Sequence, residues 1–152
     1  MTGAGAMAEA GNAEIVRVAR GWLGTPYHHQ MSCIGAGCDC LGLVRGVWRT
    51  LFHTEPFTIP AYSRGWGEAD RDEQLLWRLS QLLRQKHVGE VEPGDVVLFR
   101  MRQGVAARHL GIQSNKAQFI HALERHGVVE TRLSAPWQRR IVARFSYPLE
   151  NR

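Results

Sequence analysis

The stretch "GAGCDCLGLVRGVW", residues 35–48, passes from glycine-rich chain into a helical pattern of apolar residues. Four apolar residues recur at the spacing of one helix face and predict a helix from about Cys40 to Phe52: Leu41, Val44, Trp48 and Leu51. Cys40 then lies in the first turn, where unpaired backbone N–H groups and the helix dipole favour negative charge. Such a thiol is expected to have a pKa below its usual value of ~8.5 and to act as a nucleophile. The alternative is a buried structural cysteine.

Helices are predicted before this stretch and shortly after it, and strands in the rest of the chain. A first helix carries Ile15 to Trp22 and stops at Gly24-Thr25-Pro26, and a third covers roughly residues 68–86. Short β-rich runs follow, separated by glycine, asparagine or proline: "DVVLFRM", "HLGIQS", "QFIHAL", "GVVETRL" and "IVARFSYP". Helices first and strands afterwards predict an α+β fold, with N-terminal helices packed on an antiparallel sheet of about five strands.

The length of 152 residues indicates one domain, residues 1–152. The Gly/Ala-rich residues 1–13 are expected to form a flexible or partner-bound arm. A long loop containing proline and aromatic residues, residues 53–67, is either a lid or binding rim over a site or an ordinary packed surface loop.

The charge and composition restrict the partners of the chain. A net charge of +5 favours anionic surfaces in general. The late arginines alternate with apolar residues and form no basic run, so nucleic acid is not expected as a partner: Arg132, Arg139, Arg140 and Arg144. No apolar run is long enough for membrane insertion, and the N-terminus does not resemble a signal peptide, so synthesis in the cytoplasm is expected. Three cysteines argue against a disulfide framework.

A nucleophilic thiol needs a base, and histidine is the natural one because its pKa lies near neutrality. Of seven histidines, His109 opens the run "HLGI" and His121 lies inside "QFIHAL". If these runs pair as a hairpin through "QSNKA", both rings lie on one face, where one can face the thiol while the other fixes its tautomer. A single strand histidine would more often be a core residue, but two of them with a helix-start thiol favour catalysis.

The order of several short motifs resembles that of a known family. "GTPY", "CDCLGLV", "PGDVVLF", "HLGI" and "FIHA" follow one another as in the NlpC-type papain-like cysteine peptidases, which cut bacterial cell-wall peptides. "GAGCDCLGLVRGVW" and "PGDVVLFRM" are most similar to the phage-tail branch, which includes gene transfer agents. The resemblance covers about residues 14–148.

The resemblance implies a role for each matching residue. Cys40 would be the nucleophile, His109 the base and His121 the third, polar member of the triad. Tyr27 would help to hold the oxyanion or substrate, although it could simply pack as an aromatic residue. Asp39 would recognise the substrate peptide, although it could equally be a helix N-cap.

The immediate neighbours of the nucleophile include two departures from the family pattern. Leu41 stands where the family usually has serine, which would alter a subsite but leave the thiol chemistry intact. Cys38 is additional and receives no catalytic role. Gly37 and Gly42 flank the site at short range and would let another chain approach closely.

The function implied by the resemblance is hydrolysis of a peptidoglycan stem peptide through a cysteine thioester, at the bond between γ-linked D-glutamate and a diamino acid. Phage-like tail hub or tip proteins would be its partners, with the particle carrying it to the cell wall. No cofactor is expected: Cys33, Cys38, Cys40 and a nearby histidine form only one cluster, whereas structural zinc sites pair two. The alternatives are a structural tail-tip or baseplate subunit and a papain-like amidase or acyltransferase acting elsewhere.

Overall fold

The computed structural model of the chain describes residues 3–55 and 73–152, with side chains from residue 5. The helices are α1 (Gly3–Arg20), α2 (Cys40–Phe52), α3 (Gln74–Leu82) and α4 (Ala135–Arg139). The strands are β1 (Ser32–Cys33), β2 (Gly37–Cys38), β3 (Arg84–Lys86), β4 (Val96–Phe99), β5 (His109–Asn115), β6 (Gln118–Leu123), β7 (Gly127–Arg132) and β8 (Ile141–Ser146). A 3₁₀ turn at Leu149–Asn151 follows β8. None of the helices in these two ranges is both long and apolar enough to cross a membrane.

One antiparallel sheet organises the fold. Its strands lie in the order β3-β8-β4-β5-β6-β7, and β1 and β2 form a separate small hairpin. The predicted α+β architecture, helices packed on an antiparallel sheet, is confirmed. The described sheet has six strands rather than about five, and the additional strand is β3.

The third predicted helix is shorter than the sequence pattern indicated. The described part of the range 68–86 contains a helix only over Gln74–Leu82, and residues 68–72 lie outside the described residues. Leu83 is extended, and Arg84–Lys86 pair with the end of β8. Leu83 is buried. Its apolar side chain fits the spacing of the helix face and is equally typical of a buried strand residue, so the sequence does not distinguish the two. The sheet edge of β8 therefore decides where this helix ends.

The first helix begins much earlier than its apolar spacing indicated. It runs from Gly3, so the residues expected to form a flexible or partner-bound arm are helical from that point onward. Asn12 donates a hydrogen bond to Glu92, 3.0 Å away, which ties this part of α1 to the turn before β4. A partner for the arm remains a prediction, and residues 56–67 of the predicted lid lie outside the described residues.

The two faces of the sheet carry different side chains. The larger apolar core lies between one face and the helices α1, α2 and α3, and it includes Leu43, Val47 and Leu110. The opposite face carries a smaller cluster built on Val97, Phe99 and Phe119. Because successive strand residues alternate between faces, the pattern of β5 sends Leu110 toward the helices and His109 toward the smaller cluster.

The aspartate of the "PGD" segment before β4, Asp95, forms a buried ion pair with Arg144. Arg144 is 1% exposed, and its Nη1 donates to Asp95 Oδ2 at 2.9 Å and to Gln113 Oε1 at 3.0 Å. Lys86 Nζ lies 2.7 Å from Asp95 Oδ1. We call Arg144, Asp95, Gln113 and Lys86 the arginine network. It joins strands β3, β5 and β8 and the residue that precedes β4 through charge-assisted hydrogen bonds.

Candidate active site

The helix that carries the candidate nucleophile starts at the predicted residue and is capped by its neighbour. Asp39 has extended backbone, and its Oδ1 accepts a hydrogen bond from the N–H of Gly42 at 2.7 Å. Its Oδ2 accepts another from the N–H of Gln30 at 2.8 Å. Asp39 is 2% exposed, and each of its carboxylate oxygens accepts a hydrogen bond from a backbone N–H. This arrangement is that of a helix N-cap, the alternative considered for this residue.

The β1–β2 hairpin packs directly on the start of α2. A Cβ atom on Gly42 would lie 2.0 Å from the carbonyl oxygen of Met31, far inside contact distance. A Cβ atom on Gly37 would lie 2.5 Å from the ring of His28. The absence of a side chain at these two glycines therefore allows neighbouring parts of this chain to pack closely, and the approach of another chain remains a prediction. A larger residue at position 42 would push the hairpin away from the helix that holds the thiol.

The Cys40 sulfur lies against the backbone at the start of β5. Its Sγ is 3.6 Å from the carbonyl oxygen of Arg108, and the N–H of Leu110 also interacts with it. These two groups flank His109 in the chain, so the packing of α2 on β5 brings the thiol to the backbone around the candidate base. Within residues 3–55 and 73–152, no hydrogen bond joins Sγ to an imidazole nitrogen.

The expected low pKa of the thiol is wrong for this resting site. Burial, followed by the neighbouring Asp39 carboxylate, raises the pKa of Cys40 to about 12. The N–H groups of Leu110 and Leu41 and the charge of Arg108 act in the opposite direction but do not compensate. Removal from water disfavours the thiolate more strongly than the helix start favours it. The sulfur is therefore a neutral thiol at rest.

Two histidines and one threonine form a continuous hydrogen-bonded series, which we call the imidazole chain. His109 Nε2 lies 2.8 Å from His121 Nδ1, and His121 Nε2 lies 2.7 Å from Thr131 Oγ1. The three residues come from β5, β6 and β7, which are neighbouring strands. The prediction that His109 and His121 share one face through a hairpin is confirmed. The catalytic roles assigned to them remain predictions.

Both rings are neutral at rest because their surroundings disfavour positive charge. Burial lowers the pKa of His109 to about 4, assisted by the charges of Arg108 and Arg140. Burial, followed by His109, lowers the pKa of His121 to about 3. His109 is half-buried, whereas His121 is fully enclosed. A neutral imidazole carries one unprotonated nitrogen, which is what a general base requires.

Aromatic rings fix the orientation of the imidazoles. The Phe119 ring centroid is 4.2 Å from that of His121, and Trp137 lies 5.7 Å from His109 and 5.2 Å from His121. These contacts leave the rings little freedom to rotate away from their hydrogen bonds. Trp137 comes from α4, a five-residue helix that the sequence pattern did not indicate.

Comparison with known proteins identifies related sequences and folds. The profile of the NlpC/P60 family matches residues 24–145 of the chain. This chain belongs to the NlpC/P60 family. It is 30% identical over 120 residues to a protein of Escherichia coli named "Probable endopeptidase NlpC", covering 78% of this chain and 66% of that protein. It is 27% identical over 122 residues to a "Probable endopeptidase" of Haemophilus influenzae, covering 76% and 62%. The chain thus spans slightly less than two thirds of these relatives.

Solved structures resemble this NlpC/P60 domain over most of its length. The NlpC/P60 domain of the peptidoglycan hydrolase SagA superimposes with a TM-score of 0.64 at 19% identity, covering 89% of this chain and 97% of that one. The peptidoglycan hydrolase RipB of Mycobacterium tuberculosis gives a TM-score of 0.57 at 18% identity, covering 91% and 66%. At these identities the likeness establishes the fold.

Tyr27 of this NlpC/P60 domain lies beside the nucleophile segment. A parallel β-bridge pairs Tyr27 with Cys38, two residues before Cys40, and Cys38 is completely buried. The position is compatible with the role that the resemblance implies, which remains a prediction.

Thr131 is a residue of the site that sequence reasoning did not identify. It alternates normally within "GVVETRL", and no feature of that run distinguishes it from a surface strand residue. The pairing of Phe119 with Thr131 places it on the face that carries His121.

Proposed function

We propose that this NlpC/P60 domain is a cysteine endopeptidase that hydrolyses peptide bonds of peptidoglycan. The observation that carries the proposal is the packing of the Cys40 thiol against the backbone of residues 108 and 110, which flank the first ring of the imidazole chain. Family membership and the endopeptidase and hydrolase names of its relatives support the same reaction class.

The first half of the reaction forms a thioester. The reaction requires the Cys40 side chain to rotate until Sγ reaches His109 Nδ1, because Nε2 is occupied by His121. As the sulfur attacks the peptide carbonyl carbon, the thiol proton passes to Nδ1 and an S–C bond forms. Collapse of the tetrahedral intermediate breaks the C–N bond, and the proton on Nδ1 leaves with the amine. A neutral thiol and a neutral imidazole require this proton transfer to accompany the attack.

The second half of the reaction regenerates the thiol. A water molecule gives a proton to His109 Nδ1 as its oxygen attacks the thioester, and the C–S bond breaks when the intermediate collapses. The same proton then returns to the sulfur, so the enzyme ends unchanged.

The oxyanion of both intermediates has a backbone donor at the start of α2. The cap oxygen of Asp39 serves the N–H of Gly42 and leaves the N–H of Cys40 for the oxyanion. Tyr27 would assist this donor. Losing one oxyanion donor typically costs about 10²–10³ in rate.

Two finer assignments belong to the same proposal. The scissile bond is that between γ-linked D-glutamate and the diamino acid, and the protein works in a phage-like tail or gene transfer agent. The bond assignment rests on the resemblance to the NlpC-type peptidases, and the tail assignment rests on the resemblance of "GAGCDCLGLVRGVW" and "PGDVVLFRM" to the phage-tail branch. Tail hub or tip proteins would then be its partners, and cytoplasmic synthesis would precede assembly into the particle.

The test is digestion of purified muropeptides, with products identified by mass spectrometry. Wild type is expected to release a fragment ending at D-glutamate, and Cys40→Ala is expected to release none while keeping its thermal transition. Cys33→Ala is the matched control because Cys33 is exposed and lies on the hairpin. It should cleave at the wild-type rate.

The outcomes separate the alternatives considered for the chain. Cleavage at another bond would contradict the bond assignment alone, whereas equal cleavage by wild type and Cys40→Ala would overturn the mechanism. No cleavage of any muropeptide by the wild type would favour a structural tail subunit or a transferase. Detection of the protein in purified tail particles, by mass spectrometry, tests the assignment to a particle.

A further inference from the structure

We infer that Thr131 is a positioning residue that holds the imidazole chain in the tautomer in which His109 can accept a proton. Its hydroxyl oxygen lies 2.7 Å from His121 Nε2, at the far end of the chain from the thiol. The inference rests on the proposed function, because it concerns the proton acceptor of that reaction. Thr131 acts through His121, which is the only imidazole that its hydroxyl contacts among the described residues.

The imidazole chain has two possible directions of hydrogen bonding. In the first, His109 Nε2–H donates to His121 Nδ1 and His121 Nε2–H donates to Thr131 Oγ1. In the second, the Thr131 hydroxyl donates to His121 Nε2 and His121 Nδ1–H donates to His109 Nε2. Only the first leaves His109 Nδ1 without a proton, so only the first provides a base for the thiol.

The third member of the triad would set the direction of the hydrogen bonds if it could only accept or only donate. His121 can do either, so it does not set the direction by itself. A carboxylate in place of His121 could only accept, so it would hold the His109 Nε2 proton by itself. A neutral imidazole accepts at one nitrogen only when its proton is on the other. The polarity of the chain therefore depends on what His121 Nε2 meets, and that group is Thr131 Oγ1.

The position of Thr131 suits it to accept rather than donate. It lies on β7, which is the outer strand of the described sheet on that side, and it is half-buried. Water at this edge can receive the Thr131 hydroxyl proton, and the hydroxyl oxygen then accepts the Nε2–H of His121. His121 is completely buried, so its Nε2–H has no access to water of its own.

The test measures tautomers directly, by NMR of isotope-labelled imidazole nitrogens near neutral pH. In the wild type, His121 is expected to carry its proton on Nε2 and His109 to be unprotonated at Nδ1. Thr131→Val keeps the branched shape but removes the acceptor, so a mixture of tautomers is expected. Thr131→Ser restores the hydroxyl and should restore the wild-type spectrum.

Activity provides a second readout with a distinct signature. A general base typically contributes about 10²–10⁴ in rate, so Thr131→Val is expected to lower kcat about tenfold while KM changes little. Thr131→Ser is expected to retain most of kcat. Thr50→Val is the matched control, since it removes the same hydroxyl from α2, where Thr50 donates only to the carbonyl of Gly46. It should leave both the imidazole spectrum and kcat unchanged.

Each outcome decides the inference. A wild-type His121 protonated on Nδ1 would overturn it, and this measurement needs no variant and no substrate. Unchanged tautomers in Thr131→Val would overturn it as well. If the tautomers shift as expected but the wild type cleaves no muropeptide, the positioning role stands and the proposed function fails.

Discussion

The arginine network and the imidazole chain lie on the same face of the sheet but end differently. Asp95 accepts from Lys86 and from the N–H of Glu92 in addition to Arg144, and Gln113 donates onward to the carbonyl of Asn115. Protein groups therefore hold both ends of the arginine network. The imidazole chain ends at His109 Nδ1, which makes no hydrogen bond to any part of the chain that the structure describes.

The contrast separates a structural polar network from one suited to chemistry. The charged groups of the arginine network are enclosed by fixed partners and cannot exchange a proton without losing one of them. Their role is therefore to hold the strands together. A neutral chain with one unoccupied acceptor can take a proton at that end and spread the resulting charge along its bonds. One sheet face thus carries both a structural network and a network suited to proton transfer. The two differ in whether the atoms at their ends are hydrogen-bonded to protein groups.

Breaking the arginine network should have the largest effect on stability. Arg144→Met leaves Asp95 and Gln113 without their shared donor, and removing one partner of a buried pair costs about 3–5 kcal/mol. Lys86 still contacts Asp95, so we expect the lower end of that range. Chemical denaturation measures the loss. Arg139→Met, on the exposed side of α4, is the control and should change little. A loss below about 1 kcal/mol would contradict the structural role of the network.

Acidification should sharpen the comparison, because the two networks respond to pH with opposite signs. The pKa values of His109 and His121 fall from 6.5 to about 4 and about 3 on folding, so between these limits the unfolded chain binds more protons. Stability from these rings is complete above pH 6.5 and is lost as pH falls toward 4, by at most ~1.4 kcal/mol per pH unit for each ring. Burial raises the pKa of Asp95, which acts in the opposite direction.

A double variant isolates the contribution of the rings. His109→Gln with His121→Gln removes both imidazoles but leaves Asp95 in place, so its stability should depend less steeply on pH over the same window. Denaturation midpoints measured across that window for both proteins provide the comparison. Equal slopes would show that the rings are not held neutral in the folded protein.

Substitution of Asp39 has the smallest expected effect of these tests. It asks whether a polar group whose atoms all have protein partners contributes stability rather than chemistry. Both of its oxygens have protein partners, so it should behave like the arginine network and contribute stability rather than substrate affinity. Asp39→Ser keeps a capping oxygen for Gly42 but loses the charge and the bond from Gln30. We expect a loss of about 1 kcal/mol and an unchanged KM for muropeptides. A large rise in KM with an intact fold would instead support the substrate-recognition role.

Local sequence patterns predicted the elements that depend only on residues close together in the sequence. The bounds of α2 followed from an N-cap residue and a regular apolar stripe, and β6 followed from a short β-rich run between turn signals. The hairpin that brings the His109 and His121 rings together could be predicted because its turn is short and local. The motif order then indicated the family, which the comparisons establish.

Features that depend on distant strands could not be predicted from the sequence. Arg144 alternates with apolar residues in the sequence, as a surface arginine in a strand does. Its burial results from the packing of β3, β4 and β5 around it, which the sequence does not show. Thr131 joins the site through a pairing with β6. The high pKa of Cys40 was missed because the helix start is visible in the sequence, whereas desolvation by β5 is not.

The glycine contact at the start of α2 links two parts of the molecule mechanically. Met31 is 37% exposed on the hairpin, while its carbonyl oxygen occupies the space that a side chain on Gly42 would fill. The nucleophile stands two residues before that glycine, on the same turn. The close packing of the hairpin therefore limits how far the first turn of α2, which carries the sulfur, can shift toward it.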